Sequence, residues 1–252
     1  MQPAAGAFSL AERFAHMLNI TNTGSIAQMI REVRDVPARV LPYAVSTALT
    51  RTAQRAAKED LPAEMRRVFD RPTPYTLNSL FVKPSTAFTL SARVMVKDTA
   101  GTGVVPEKFL QPEVEGGGRG QKGMEKALRY AGILRSGERV VPSHDMKLDA
   151  FGNVPGARVR SILASVEKPG GKKARGAKGS GIFAGQIGKT RGIWERSGKG
   201  KARKVTPLFI FTQAQPQYRS RLDFAGVVER VADKHFRNEF SKALDALTKR
   251  YS

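Results

Sequence analysis

Cysteine is absent from this chain. Disulfides and cysteine-ligated metals are therefore excluded as sources of stability, and nothing points to an oxidising compartment. Long apolar runs are missing as well. A bilayer-spanning helix needs about 18 or more consecutive apolar residues, no such run occurs, and no membrane partner is expected. The opening stretch MQPAAGAFSLAERF has neither the basic start nor the long apolar core of a signal peptide. Together these absences predict a soluble protein made in a cytoplasm-like setting. Acids are scarce: 22 Asp and Glu stand against 43 Lys and Arg, giving +21 and a pI near 10.7. A surface this basic calls for a polyanionic or acidic partner, since like charges repel until something neutralises them.

What is present is enough for a core. The chain has 252 residues, of which 40% are apolar. SLAERFAHML, from Ser9, and a second piece through Ile26, Met29, Ile30 and Val33 have helical spacing. The spacing predicts a longer helix from Pro37 to about Lys58, carrying Val40, Tyr43, Ala44, Thr47, Ala48 and Arg51. LPAEMRRVF extends it by a turn or two, until Pro72 and Pro74 end it. The period then changes. FTLSARVMVK alternates, with Phe88, Leu90, Ala92, Val94 and Val96 on one side, and predicts a half-buried strand with SLFVKPS as its shorter partner. A glycine-rich loop, EVEGGGRGQKG, precedes a helix from Met124 to about Gly132. VPSHDM reads as loop, Gly152-Asn153 as a turn, and Val159, Ile162, Leu163 and Val166 as a short amphipathic helix. GIFAGQIG, GIWERS and VTPLFIFTQ read as strands, the last two joined into a hairpin by GKGKARK. Val228, Ala232, Phe236, Phe240, Leu244, Leu247 and Tyr251 mark one face of a closing helix.

The plan is α+β: N-terminal helices and a C-terminal amphipathic helix on an antiparallel sheet, with long basic, glycine-rich loops. The expected organisation is an N-terminal helical arm over 1–35 and a single domain over 36–252, with extended loops near 98–123 and 168–204.

Positive charge is concentrated late in the chain. Residues 168–204 hold 12 Lys or Arg and one acid, Glu195, so over half the net charge sits in about a seventh of the length. Within it, KPGGKKARGAKGSG carries five cations spaced by glycine. Three readings stay open: a solvated loop, a stretch that follows phosphates without reading sequence, or an arm that orders on a partner. Phe183 and Trp194 are the only aromatics among these charges, too few for a base-stacking platform. Trp194 is expected to pack under the sheet or at an interface.

Catalytic chemistry finds little support. Of His16, His144 and His235, two lie in helical patterns. His144, Asp145, Asp149 and Asn153 could assemble a metal-dependent nuclease site, but a histidine near acids is ordinary loop composition and no second ligand set accompanies it. EGGGRG lacks the spacing and the Lys-Ser/Thr ending of a phosphate-binding loop. No nucleophile elbow with a Ser-His-Asp set is present. The expectation is a non-enzyme with no catalytic, cofactor-binding or metal residues and no cofactor.

Several strings taken together resemble a known group. They are AVSTALTRTAQRAAKE, FDRPTPYTLNSLFVKPST, VMVKD, FLQPEVEGGGRGQKGMEKALRYAGIL, LDAFGNVPGARVRSILASV and GIWERSGKGKARKVTPLFIF. Their layout over residues 40–250 is similar to that of small virion structural proteins of tailed phages: the tail-completion, minor-tail (protein Z-like) and neck, or head–tail joining, proteins. The resemblance implies a non-enzymatic subunit of an oligomeric ring in the virion, assembled in the host cytoplasm. Its partners would be copies of itself, portal- or adaptor-side and tail-side phage proteins, and double-stranded DNA without sequence preference. On this reading Lys172, Lys173, Arg175, Lys178, Lys199, Lys201, Arg203 and Lys204 contact polyanion or an acidic partner. The helix over 40–58 and the sheet around Trp194, Phe209 and Phe211 serve subunit packing. The other class that the charge alone allows is a sequence-independent nucleic-acid-binding protein.

Overall fold

A computed structural model describes residues 40–100, 103–166, 181–198 and 204–251. The expected arm over 1–35 lies outside these residues. Helices and antiparallel sheets make an α+β fold, as the sequence predicts. Beside the single domain expected over 36–252, the chain's contacts gather into two compact units, residues 1–117 with 219–252, and residues 118–218. Each has its own apolar core. The second unit is an insertion into the first. No Pro- or Ser-rich linker marks its ends, and only Gly116–Gly118 announces the entry.

In the first unit, α1 (Leu41–Arg55) runs through a π-helical turn (Ala56–Asp60) into α2 (Leu61–Val68). Pro62 accounts for the π turn. A proline inside an α-helix lacks its N–H and presses on the carbonyl four residues back, here that of Lys58. Widening one turn, with the Leu61 N–H reaching the Ala56 carbonyl, lets the helix pass. A one-turn helix, α3 (Pro74–Leu77), is capped by the Thr73 hydroxyl, which accepts from the Thr76 N–H at 3.1 Å. Strands β1 (Leu80–Lys83) and β2 (Arg93–Val96) pair antiparallel. Then come α4 (Pro106–Glu115) and, after the insertion, α7 (Phe224–Tyr251).

Ala44, Ala48 and Leu49 of α1 pack with Val228, Phe236 and Phe240 of α7, over Ala92, Val94 and Val96 beside and within β2. Small alanines on α1 allow the close approach, and the larger side chains of α7 fill the space. The two ends of the insertion are clasped together. The Glu113 carbonyl accepts from the Arg221 and Leu222 N–H groups at 2.8 and 2.9 Å, and the Ser220 hydroxyl donates to the Val114 carbonyl at 2.6 Å.

Two sequence expectations fail here. The alternation predicted from Phe88 holds only from Ala92 onward, and Phe88 is 96% exposed. Thr86 and Thr89 trade side-chain and backbone hydrogen bonds, and the Leu90 N–H closes a turn on the Thr86 carbonyl at 3.0 Å. Threonine hydroxyls competing for backbone groups thus replace the first half of the strand. The loop expected near 98–123 contains the ten-residue α4, started by Pro106 and buried through Leu110 and Pro112.

In the second unit, β3 (Gly117–Gly118) pairs with β8 (Gln217–Tyr218). Between them lie α5 (Gly123–Tyr130), β4 (Arg139–Pro142), α6 (Gly156–Ser165), β5 (Ile182–Ile187), β6 (Thr190–Ser197) and β7 (Lys204–Thr212). Four strands form one antiparallel sheet in the order β4-β7-β6-β5. VTPLFIF and GIWERS pair as the sequence predicts. β4 falls where a loop is expected, because four residues ending at Pro142 are too short to show alternation. The core lies between one face of this sheet and helices α5 and α6, around Ile182, Ala184, Ile193, Phe209, Leu128 and Ile162.

A β-bulge interrupts the β6–β7 ladder between Ile193 and Trp194. Ile193 faces Phe209 and Trp194 faces Pro207, so Leu208 is the extra residue and joins Phe209 in the core. Beside the bulge, a Cβ on Gly192 would stand 2.2 Å from the Phe209 carbonyl oxygen. Gly192→Ala is expected to destabilise the second unit by about 1–3 kcal/mol, the usual scale of overpacking. The denaturation midpoint followed by Trp194 fluorescence, the only tryptophan signal, checks this.

Candidate functional site

The β5–β6–β7 part of the sheet carries the described residues the sequence singles out. Alternation and register sort their faces. Ile182, Ala184, Ile193 and Phe209 point to the core, so their neighbours Phe183, Trp194 and Pro207, which lie opposite one another across the strands, share the outer face. Arg196 and Val205 form the next pair on that face, and Ile210 and Val141 a further one. The Arg196 guanidinium sits 3.9 Å from the Phe183 ring centre, a cation–π contact. The Trp194 Nε1–H donates to the Gly185 carbonyl at 3.1 Å, which aligns the indole along β5. Gly185 and Gly192 face each other across the ladder.

The residues expected at a partner contact are distributed unevenly. Lys204 opens β7, is exposed, and pairs with Ser197. Lys172, Lys173, Arg175, Lys178, Lys199, Lys201 and Arg203 lie outside the described residues. Because Ser197 and Lys204 are paired, residues 198–203 connect the hairpin at that end. The three aromatics expected to pack subunits are buried by their own chain. Phe209 and Phe211 belong to the core of the second unit, and Trp194 is 7% exposed. The helix over 40–58 likewise buries its apolar face within the first unit.

Sequence reading missed the acids that hold the sheet edge. Glu125, at the third position of α5, is fully buried. It accepts from Arg119 Nη2 at 2.8 Å and Nη1 at 3.1 Å, from the Lys122 N–H at 2.8 Å and from the Val140 N–H at 3.2 Å. Arg139 Nη1 stands 3.6 Å away. Burial pushes this carboxyl up, but Arg119 and the two backbone donors outweigh it and hold the group at about 2 against an ordinary 4.5. Glu138 repeats the arrangement. It accepts from the Arg135 N–H at 2.7 Å and Arg191 Nε at 3.0 Å, and although burial opposes it, these donors keep its carboxyl below the ordinary range. The visible signal for Glu125 is its place three residues after the N-cap Lys122, where a glutamate bonds back to the cap N–H. Nothing local marks Glu138, whose arginine lies 53 positions away.

The alternative chemistry is laid out by the loop after β4. His144 is 88% exposed at its side chain, with Nε2 3.1 Å from Asp145 Oδ1. Asp149 instead turns its carboxylate to the Phe151 and Asn153 N–H groups, both at 2.9 Å, making a turn. Among the described residues no three His, Cys, Asp or Glu side chains gather as metal ligands, and no helix is long and apolar enough to cross a membrane. No family model, curated protein or solved structure matches this chain.

Removing the Glu125 charge leaves the half-buried Arg119 and the Lys122 and Val140 N–H groups without their acceptor, a change that costs about 1–3 kcal/mol. Glu125→Gln is expected to lower the Trp194 unfolding midpoint accordingly. The depressed carboxyl also fixes a pH dependence. Its stabilisation is complete above about 4.5, the unfolded value, and is lost as pH falls toward 2. The wild type should weaken across that window by more than Glu125→Gln does. Urea midpoints at pH 6, 4 and 3 provide the check.

Proposed function

We propose that this chain is a virion structural protein of a tailed phage, a subunit of a ring at the head–tail junction of the neck or tail-completion kind. The observation that carries the reading is the basic hairpin. β6 and β7 pair down to Ser197 and Lys204, and the sequence joining them is GKGKAR. It belongs to a stretch with 12 cations and one acid. Two paired strands joined by a sequence of glycine-spaced cations suit contact with DNA phosphates in a channel or with an acidic face of a neighbouring ring. The resemblance of GIWERSGKGKARKVTPLFIF and its companion strings to the phage group supplies the setting. Copies of the chain, a portal- or adaptor-side protein and a tail-side protein are the partners this reading names. A closed ring would use head-to-tail contacts between copies.

The net charge of +21 favours one competing reading, a nucleic-acid-binding protein that acts without sequence preference. Two measurements separate them. The first is assembly with Lys199, Lys201, Arg203 and Lys204 all changed to Glu. The junction reading expects tailless heads or heads that lose their DNA; normal, filled, infectious particles refute the assignment of these four residues. The second is duplex binding by the isolated wild type at several salt concentrations. The junction reading expects feeble binding alone and tight binding to a partner ring. Tight binding alone, with the steep salt slope of about −0.9 per phosphate contact, supports the competing one.

A further inference from the structure

The first unit contains an open groove of about 640 Å³ that the sheet site does not involve. One wall is the helix around the π turn, with Lys58 and Arg66 along it. The other is β1, and Pro74 and Leu77 contribute apolar surface between them. Leu80, Phe81 and Val82 all border the groove, although successive strand residues face opposite sides of a sheet. Three in a row can border one space only if it runs along the strand's edge. Among the described residues that edge is open, because the sheet has two strands and β2 occupies the other side.

The phase of the ladder identifies which backbone groups face the groove. The Lys97 N–H donates to the Ser79 carbonyl at 2.8 Å, so Ser79 and Phe81 exchange hydrogen bonds with the β2 side. Leu80 and Val82 then turn their N–H and C=O outward. Among the described residues no hydrogen bond reaches these groups.

The groove is also one-signed. Lys58, Arg66 and Lys97 border it and no carboxylate does. Asp98 follows Lys97 but is not among the residues that border the groove, and the acids along the helix are already held by other arginines. Glu59 and Asp60 lie 3.4 and 3.6 Å from Arg55, and Glu64 pairs with Arg67. Lys97 Nζ donates to the Asn78 carbonyl at 2.7 Å, which fixes its charge at the end of β1. Among the described residues Lys58 and Arg66 have no ion-pair partner.

We infer that this groove binds an extended acidic peptide segment of a partner protein, which adds as a third strand on the open edge of β1. Alternating donors and acceptors on the edge match another peptide backbone. A deoxyribose–phosphate backbone offers acceptors alone and leaves the two carbonyls unmet. A second copy of this chain would bring its own +21 to a cationic groove. Carboxylates on the added strand meet Lys58, Arg66 and Lys97, while apolar side chains lie on Pro74, Leu77 and Phe81. The inference goes beyond the virion reading and does not rest on it.

The test uses the full chain and a fluorescent nine-residue peptide that alternates Asp or Glu with Val. Its controls are the fully N-methylated peptide of equal charge and a single-stranded oligonucleotide. The acidic peptide is expected to bind saturably, and the N-methylated one at least tenfold more weakly. Lys58→Glu with Arg66→Glu should weaken binding at least tenfold. Lys249→Glu with Arg250→Glu, an equal charge change in the last turn of α7, should leave it within about twofold. Equal binding of the N-methylated peptide to the wild type overturns the inference, and that comparison needs no variant to fold. Equal loss in both double variants also overturns it, as does loss of oligonucleotide binding with peptide binding intact.

Discussion

The protein is organised by a shortage of negative charge. With 22 acids against 43 cations, each carboxylate placed inside leaves more of the positive charge unanswered outside. Glu125 and Glu138 are both buried, and both are committed to arginines and backbone N–H groups that flank β4. An unpaired buried charge is intolerable, so each acid needs donors that converge from distant segments. Those donors fix α5, the start of β4 and the strand that carries Arg191. Among the described residues, Lys58 and Arg66 are left without an ion-pair partner. One set of scarce groups thus holds the sheet.

Topology joins the basic sequence GKGKAR to two paired strands. The β6–β7 ladder runs from Gly192 and Ile210 to Ser197 and Lys204, with the bulge near its middle increasing the local twist. Its inner side is anchored by Ile193 and Phe209, its outer side by Trp194 against Gly185. In the first unit the cations beside the π turn arise differently. Pro62 forces the wide turn, and salt bridges from Arg55 and Arg67 withdraw the adjacent acids. Lys58 and Arg66 are left on the groove side.

Much of the fold was legible where a period runs long enough to be read. The closing helix shows its face at three- and four-residue steps, and Val228, Ala232, Phe236 and Phe240 are indeed buried. GIWERS and VTPLFIF show themselves by β-branched and aromatic density. The insertion was illegible because its boundaries are hydrogen-bonded turns of the first unit rather than linkers, as Glu113 and Arg221 illustrate. The strand predicted from Phe88 yields to a threonine-closed turn, a local competition that alternation cannot register. For the site, the basic composition of 198–204 was plain from the sequence. The buried Glu138–Arg191 pair and the open edge of β1 depend on contacts and register that only the folded chain supplies.

The central claim is that this chain is a component of phage particles, and quantitative mass spectrometry of purified particles tests it most directly. The account predicts the chain at a small fixed ratio to the major capsid protein, on the order of one closed ring per particle. Its absence from particles, with recovery in the nucleoid or ribosome fraction instead, would contradict the account and leave nucleic acid as the reason for the charge.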